Sequence, residues 1–138
     1  MILNRLPADE IIEKGPDLAI IPVGSIEQHG PHLPVITDWK IASAVGEGVA
    51  KITGGFLIPA LPVSTCREHM GKMGSVWMNP DTFYHMMIDM VGSLKEQGFS
   101  IALDDYIGQP HLEPFLKLVD IVKVDFLLAS HAQRAAIP

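Results

Sequence analysis

Three side chains of the kind that bind divalent metals lie close together in the first third of the chain. Glu27 and His29 fall in a loop rich in glycine and proline, and Asp38 follows at the start of a predicted helix. A carboxylate together with an imidazole suits zinc or manganese. Glu27 and His29 are two residues apart, so in an extended loop both side chains point to one side, and Asp38 could close the site from across the loop. This spacing predicts a metal site; the simpler alternative is a polar loop with a helix-capping aspartate.

A second group of charged residues lies in the last third of the chain. Asp104 and Asp105 end a predicted strand, and Lys123 and Asp125 are two residues apart on the next one. Adjacent carboxylates at a strand end can bind hard cations. Alternation along a strand sends neighbouring side chains to opposite faces, so only one of the two aspartates is expected to point into a shared site. The simpler alternative is a helix cap and a solvated carboxylate, with Lys123 and Asp125 as a solvated or structural pair.

The elements that must position these side chains alternate between helices and strands. Predicted helices cover about residues 7–14, 38–52, 79–97 and 111–118, and predicted strands cover 18–23, 56–61, 99–103 and part of 119–126. This alternation indicates a parallel sheet with right-handed crossovers. We therefore expect a single α/β domain over residues 1–138, with a small four-stranded parallel sheet, doubly wound (flavodoxin-like), and helices on both faces. In such sheets ligands bind at the carboxyl ends of the strands, where the candidate residues fall.

Local signals mark where the helices begin. Thr37 or Asp38 is expected to be the N-cap of the second helix. Asn79-Pro80-Asp81 offers a cap, a proline at the first helical position and an acid in the first turn. These signals place Asp38 in the first turn of a helix, where the helix dipole favours a carboxylate.

Composition excludes several classes of function. The 138 residues are 48% apolar and 19% charged, and the net charge is −6. An acidic chain without a basic run is not expected to bind nucleic acid, and no apolar stretch is long enough to suggest a membrane span. The single cysteine, Cys66, excludes an internal disulfide. The expected location is cytoplasmic.

The first loop resembles the signature of a known family. The string PVGSIEQHGPHLP at residues 22–34, followed by Thr37-Asp38, is similar to that of the creatininase family, which comprises creatinine amidohydrolases and related binuclear-metal hydrolases. Glu68-His69 falls where the family has its second active-site loop, and the resemblance covers about residues 1–99. It implies that Glu27, His29 and Asp38 correspond to metal ligands, with Asp38 as the bridging carboxylate, and that His69 sits beside the site.

The chain departs from this pattern at two places. Met73-Gly74-Ser75 stands where the family has a Pro-Gly-Thr-like turn. The family's third strand leads into an Asn-Gly-His-Gly-Gly-Asn motif whose histidine is a metal ligand, and the corresponding residues 103–109 contain no histidine. Family members are also far longer, and a later glutamate ligand has no counterpart. The resemblance therefore implies an incomplete site.

Residues 98–128 resemble a different family. The strings FSIALDDY at 99–106 and DIVKVD at 120–125 are similar to successive strands of EAL-type cyclic-dinucleotide phosphodiesterases, which are β/α barrels. In that family, paired aspartates bind divalent metal and a lysine assists the attacking water. The Glu-Ala-Leu motif and the other metal-binding strands of the family have no counterpart here.

The meeting of two resemblances near Gly98 suggests a chimera. In this hypothesis, residues 1–98 form a creatininase-like segment and residues 99–138 an EAL-like βαβ segment, since parallel βα units have a common handedness and can be exchanged. The leading expectation is a chimeric or designed domain without efficient native catalysis, for which a small-molecule substrate is not expected. It would retain weak zinc or manganese binding at Glu27, His29 and Asp38; the further candidate ligands are Asp104, Asp105 and His69.

Two alternatives stand beside the chimera. The first is a metal-dependent amidohydrolase of the creatininase type, in which acidified water attacks a cyclic amide carbonyl and Asp104 or Asp105 replaces the missing histidine. The second is a scaffold module that forms a homo-oligomer, because truncation of the family fold would expose apolar surface.

Overall fold

A computed structural model describes residues 2–107, 110 and 113–124, without the side chains of 104–106, 123 and 124. The elements, in chain order, are α1 (Ala8–Lys14), β1 (Ala19–Ile20), α2 (Thr37–Thr53), β2 (Phe56–Leu57), α3 (Pro80–Glu96), β3 (Ala102–Tyr106), α4 (Glu113–Leu116) and β4 (Ile121–Val124). Short 3-10 turns occupy Leu3–Arg5 and Arg67–His69. The alternation of helices with parallel strands confirms the α/β class.

The strands form two small sheets where a single sheet was expected. In the described part of the chain, β1 pairs with β2 and β3 pairs with β4, both in parallel, so the four-stranded doubly wound sheet is not seen. The β1–β2 ladder is short because Pro22 and Pro59 have no N–H to donate. Pairing resumes beyond the prolines: the Leu61 N–H donates to the Pro22 carbonyl over 2.9 Å, and the Gly24 N–H donates to Leu61 over 3.0 Å.

The chain divides into two compact units, residues 1–87 and 88–138. The core of the first unit joins the N-terminal segment, α2 and β2 through Ile2, Ala50 and Leu57, with Ile20 of β1 packed against them. Ala50 is fully buried there. This core holds α2 against the end of β1, between which the candidate metal loop runs. The single-domain expectation stays a prediction.

In the second unit, the Asp120 side chain contacts the end of α3 and the residue that precedes β3. One of its carboxylate oxygens accepts a hydrogen bond from the Lys95 ammonium over 2.9 Å, and the other accepts one from the backbone N–H of Ile101 over 3.0 Å. The pKa of the Asp120 carboxyl is held below its usual range by the Ile101 N–H first and by Lys95 second. These contacts tie α3, β3 and β4 together.

The start of α3 agrees with the capping residue predicted from the sequence, whereas the start of α2 does not. At α3, the side-chain oxygen of Asn79 accepts a hydrogen bond from the Asp81 N–H over 2.9 Å, as a cap should. At α2, the cap position is Ile36, which makes no side-chain cap bond, so the expectation of Thr37 or Asp38 as N-cap was wrong. The hydroxyl of Thr37 donates instead to the Pro34 carbonyl over 2.6 Å.

No helix in the described residues is both long and apolar enough to cross a membrane.

Candidate metal centre

Two loops of the first unit carry the candidate site. The first runs from residue 24 to residue 36, between β1 and α2, and the second covers residues 64–78, between β2 and α3. The Val76 N–H donates to the Ile26 carbonyl over 2.8 Å, and the Gln28 N–H donates to the Ser75 hydroxyl over 2.9 Å. The backbone of the second loop is thereby held against the first, so side chains from both reach one place.

Gly24 brings the first loop onto the start of α2. A Cβ atom at this position would lie 2.5 Å from the Cα of Trp39, a distance that a real side chain does not tolerate. Trp39 is itself fixed, because its indole N–H donates to the Ala60 carbonyl over 3.0 Å. Only glycine therefore permits this approach, which places the next residue, Ser25, directly beside Asp38.

Ser25 orients the carboxylate of Asp38. Its side chain is buried, with 7% of the residue exposed, and its hydroxyl donates to Oδ2 of Asp38 over 2.7 Å. The hydroxyl leaves Oδ1 of Asp38 to face the loop. A ligand carboxylate held by a hydrogen bond in this way is the usual support around a metal site.

The backbone of Glu27 fixes the tautomer of His29. Nδ1 of His29 lies 2.9 Å from the Glu27 carbonyl, which can only accept a hydrogen bond, so Nδ1 carries the proton and donates. This bond, aided by the Asp38 carboxylate, raises the pKa of the His29 imidazole above its usual value, while desolvation opposes it. In the neutral ring, the lone pair is on Nε2, which lies 3.3 Å from Oδ1 of Asp38. A proton and a metal ion thus compete for Nε2.

The structure brings Glu27, His29 and Asp38 together. Each offers one ligand atom, and these atoms all lie within 4.8 Å of one another. Two atoms about 2.1 Å from a tetrahedral ion stand about 3.4 Å apart. The 3.3 Å between His29 Nε2 and Asp38 Oδ1 is close to that value and slightly longer than an ordinary hydrogen bond. The donor set of imidazole and carboxylates is consistent with zinc or manganese.

His69 lies beside this cluster, as the family resemblance implies. Nε2 of His69 is 3.6 Å from Oε1 of Glu27. Glu27, Glu68 and His69 form a second group of ligand atoms, again within 4.8 Å of one another. Glu27 is therefore shared by both groups.

Cys66 is next to the site, and its thiol is expected to be a weak nucleophile. The residue is 6% exposed, and its pKa is raised by burial first and by the neighbouring Glu27 carboxylate second. Its Sγ lies 3.6 Å from the Val76 carbonyl. A thiol with a raised pKa carries little of the nucleophilic thiolate at neutral pH, so Cys66 does not fit a catalytic nucleophile.

The remaining candidates fall outside the described side chains. The backbones of Asp104 and Asp105 lie in β3 and that of Lys123 in β4, but their side chains are not described, and Asp125 lies outside the described residues altogether. Asp104 and Asp105 stay predictions as ligands.

Sequence reasoning missed Ser25 as a site residue and did not select Glu68 as a candidate ligand. Ser25 sits within the string at residues 22–34, but a serine next to a glycine gives no signal of a partner thirteen residues away. Glu68 is adjacent to His69 and was visible as part of a polar pair. The clue that could have found both is the pair of irregular loops, which follow neighbouring strands and therefore meet at one edge.

Comparison with known proteins places most of the chain in one family. The family model described as "Creatininase: Creatinine amidohydrolase" matches residues 5–103. A mycofactocin precursor peptide peptidase of Mycobacterium ulcerans is 35% identical over 79 residues, which are 51% of this chain and 32% of that protein. A 3-dehydro-scyllo-inosose hydrolase of Thermotoga maritima is 32% identical over 84 residues, 60% of this chain and 27% of that protein. The chain thus spans about a third or less of these relatives.

Solved structures share the fold. A mutant creatininase complexed with creatine has a TM-score of 0.66 at 18% identity, and the match covers 95% of this chain and 60% of that one. A structure named "Creatininase Mn" has a TM-score of 0.63 at 23% identity, covering 71% of this chain and 41% of that one. A zinc–zinc form of a mutant creatininase has a TM-score of 0.65 at 18% identity, covering 91% and 58%.

These matches overturn the chimera hypothesis. The family match continues to residue 103, past the supposed seam at Gly98, and the fold match extends over 95% of the chain. No finding supports an EAL-type fragment over residues 98–128, so the expectation of a chimeric or designed domain without catalysis was wrong. A short strand ending in two aspartates is compatible with many parallel α/β folds, which is why the local resemblance misled.

Proposed function

The chain belongs to the creatininase family, and from that premise we propose that it is a metal-dependent amidohydrolase whose zinc or manganese ion is held by Glu27, His29 and Asp38. One observation carries the proposal: the three ligand atoms lie within 4.8 Å of one another, on a loop and a helix start that are joined by the half-buried hydrogen bond from Ser25 to Asp38. This function is the alternative that the sequence offered beside the chimera.

The choice of metal is supported by donor chemistry and by the neighbours in fold. Imidazole and carboxylate ligands suit zinc and manganese alike. Among the solved structures, one creatininase is described as a manganese form and another as a zinc–zinc form. We therefore propose that either ion supports activity in this chain.

The chain's own residues prepare the site before any ion arrives. The Ser25 hydroxyl donates to Oδ2 of Asp38, which leaves Oδ1 free to bind the ion. The Glu27 carbonyl accepts a hydrogen bond from Nδ1 of His29, so the lone pair of Nε2 is available to the ion. A bound divalent cation supplies Lewis-acid polarisation and lowers the pKa of water. The Glu27 side chain is only 16% exposed, so water has little access to its carboxylate.

The names of the relatives support a proposal for the substrate class. Four relatives with 31–40% identity are named mycofactocin precursor peptide peptidases, and the family model is named for creatinine amidohydrolase. Both names describe hydrolysis of a carbon–nitrogen bond, in which water adds its hydroxyl to the carbonyl carbon and its proton to the departing nitrogen. We propose a peptide amide as the substrate, with the cyclic amide of creatinine as the alternative.

The test compares metal-free chain with chain reloaded with zinc or manganese. We expect release of new amino groups from short peptides only in the reloaded chain. Asp38→Asn is expected to abolish turnover, whereas Asp89→Asn, an exposed carboxylate change on α3, leaves it intact. Conversion of creatinine to creatine is measured in parallel and identifies the cyclic amide if it exceeds peptide cleavage. Absence of turnover on both substrates, or equal turnover in Asp38→Asn, contradicts the proposal.

A further inference from the structure

We propose that a cavity beside the N-terminal segment of the chain binds a small carboxylic acid with an aliphatic body. The cavity has a volume of about 280 Å³ and lies between the 3-10 turn Leu3–Arg5, α2 and the residues that follow β2. The residues that line it do not include Glu27, His29 or Asp38. This inference therefore goes beyond the proposed function and can be tested without it.

The most buried part of the cavity wall is apolar. Ile2 and Leu57, each 6% exposed, belong to the core of the first unit and line the cavity together with Pro22 and Pro59. Aliphatic side chains and proline rings offer a ligand no side-chain hydrogen bond, so they favour an aliphatic group that is removed from water. Cavities for drug-sized ligands measure about 300–1,000 Å³, so this smaller one suits a body of only a few carbons.

Contacts between the lining residues hold the cavity walls in place. The Trp39 indole N–H donates to the Ala60 carbonyl over 3.0 Å, and the Ser43 hydroxyl donates to the Trp39 carbonyl over 2.7 Å. The Pro22 ring packs against α2 at Gly46, where an added Cβ would lie 2.4 Å from the proline Cγ. Because the walls are already ordered, a ligand that enters the cavity loses little affinity to ordering them.

The charged groups around the cavity favour an anion. Oε1 of Glu47 lies 3.4 Å from Nη2 of Arg5, and Oε2 of Glu47 lies 3.5 Å from Nζ of Lys51. One carboxylate thus stands between two cations, which leaves one positive charge in excess. Although the chain as a whole has a net charge of −6, this local excess attracts a negatively charged ligand.

Arg5 has hydrogen-bond donors available for such an anion. Its 3.4 Å separation from Glu47 is longer than the charge-assisted bonds of about 2.7–2.9 Å, and a guanidinium carries five N–H donors. Among the described residues, the Arg5 side chain makes no other hydrogen bond, and the side-chain amide of Asn4, which also lines the cavity, makes none. A planar carboxylate matches the guanidinium fork, so a carboxylate is the group that this site recognises.

Titration calorimetry with isocaproate tests the proposal. The metal-free chain is used, so that no ion at the candidate metal centre contributes. We expect one acid to bind per chain, and isocaproamide, which has the same body without the charge, to bind at least about tenfold more weakly. Acetate keeps the charge but lacks the body, and is expected to bind more weakly by a similar factor. Added salt should weaken binding of the acid and leave that of the amide unchanged.

Exchanges at the charged residues test the same site from the protein side. Arg5→Gln is expected to weaken isocaproate binding at least about tenfold. Arg67→Gln, a change of an exposed arginine in the other 3-10 turn, is the matched control and should bind as the unaltered chain does. Glu47→Gln removes the anion between the two cations and is expected to bind the acid at least as tightly. The side chains of Arg5 and Glu47 are 67% and 39% exposed, so both variants are expected to fold.

The fluorescence of Trp39 locates the bound acid. The chain has two tryptophans, of which Trp39 lines the cavity and Trp77 lies in the second loop. In Trp77→Phe, we expect a saturable change in the emission of Trp39 with the same midpoint as the calorimetric titration. Calorimetric binding without any change in that emission places the acid elsewhere and overturns the cavity site.

The source of the carboxylate is separated by a further titration with glycyl-leucine. Tighter binding of this peptide than of isocaproate assigns the site to a peptide C-terminus, and weaker binding assigns it to a free acid. Absence of isocaproate binding, equal affinity for the acid and its amide, or unchanged affinity in Arg5→Gln overturns the proposal. Because no ion and no turnover enters these measurements, they succeed or fail independently of the proposed amidohydrolase.

Discussion

At the scale of single residues, the candidate centre depends as much on supporting atoms as on ligands. Ser25 and the Glu27 carbonyl each engage the far atom of a ligand, Oδ2 of Asp38 and Nδ1 of His29. This leaves Oδ1 and Nε2 on the near side, 3.3 Å apart. Carboxylates and imidazoles rotate freely in solution, so such bonds reduce the ordering cost that metal binding would otherwise meet.

Replacing Ser25 tests this support. In Ser25→Ala, Oδ2 of Asp38 loses its donor, and we expect zinc affinity to fall about tenfold, measured by calorimetric titration. The control is Ser43→Ala, because the Ser43 hydroxyl donates within α2 to the Trp39 carbonyl over 2.7 Å. Ser43→Ala is expected to bind zinc as the unaltered chain does. Equal affinity in both variants would show that Asp38 needs no orienting partner.

At the scale of elements, close packing of α2 against the strand–loop segment places Asp38. Gly24 allows the loop to meet Trp39, and Gly46 allows α2 to meet Pro22, whose Cγ would lie 2.4 Å from an added Cβ. Both glycines lie where α2 packs against the strand–loop segment: Gly24 is on the loop, and Gly46 is on the helix. Since backbone and a rigid ring line these contacts, neither can yield cheaply to a larger residue.

Gly24→Ala measures the importance of this contact. Because the added Cβ would meet the backbone of Trp39, we expect the free energy of unfolding to fall by about 1–3 kcal/mol, as overpacking does. Gly48→Ala is the control: nothing lies within 4 Å of a Cβ there, and alanine favours the helix by up to about 1 kcal/mol. Urea unfolding of the three chains measures both effects. A Gly24→Ala chain as stable as the unaltered one would refute the tight contact.

The contacts of Asp120 make the stability of the second unit depend on pH. The pKa of Asp120 is lowered from 3.8 in the folded chain, so its stabilising contribution is present at neutral pH and is lost as the pH falls through the folded-state pKa. We expect Asp120→Asn to lower the urea midpoint at pH 7, with a difference that vanishes in acid. Asp89→Asn, an exposed change on α3, should track the unaltered chain throughout. A difference that persists unchanged in acid would contradict the ionic origin.

At the scale of the whole molecule, the family match and the fold match agree, although the chain spans a third or less of the length of its curated relatives. The family match continues past residue 98 to residue 103, and the fold match covers 95% of the chain. The homo-oligomer expected from the sequence stays a prediction, which sedimentation of the chain with and without a chelator would check.

The sequence by itself determined the α/β class, the positions of the main helices, and the identity of Glu27, His29 and Asp38 as a candidate cluster. These follow from local signals: the spacing of apolar residues, the Asn79-Pro80 start, and the string at residues 22–34. Side-chain type and short spacing are enough for such inferences because they depend on neighbours along the chain.

Only the tertiary structure decided that Ser25 supports Asp38, that Glu68 and His69 join Glu27, and that the strands pair two by two among the described residues. Each of these depends on a contact between residues distant in sequence. The approach at Gly24 and the hydrogen bond from Gln28 to Ser75 bring those segments together. The secondary-structure propensity of a segment does not predict such contacts, because they form only when the whole chain packs together.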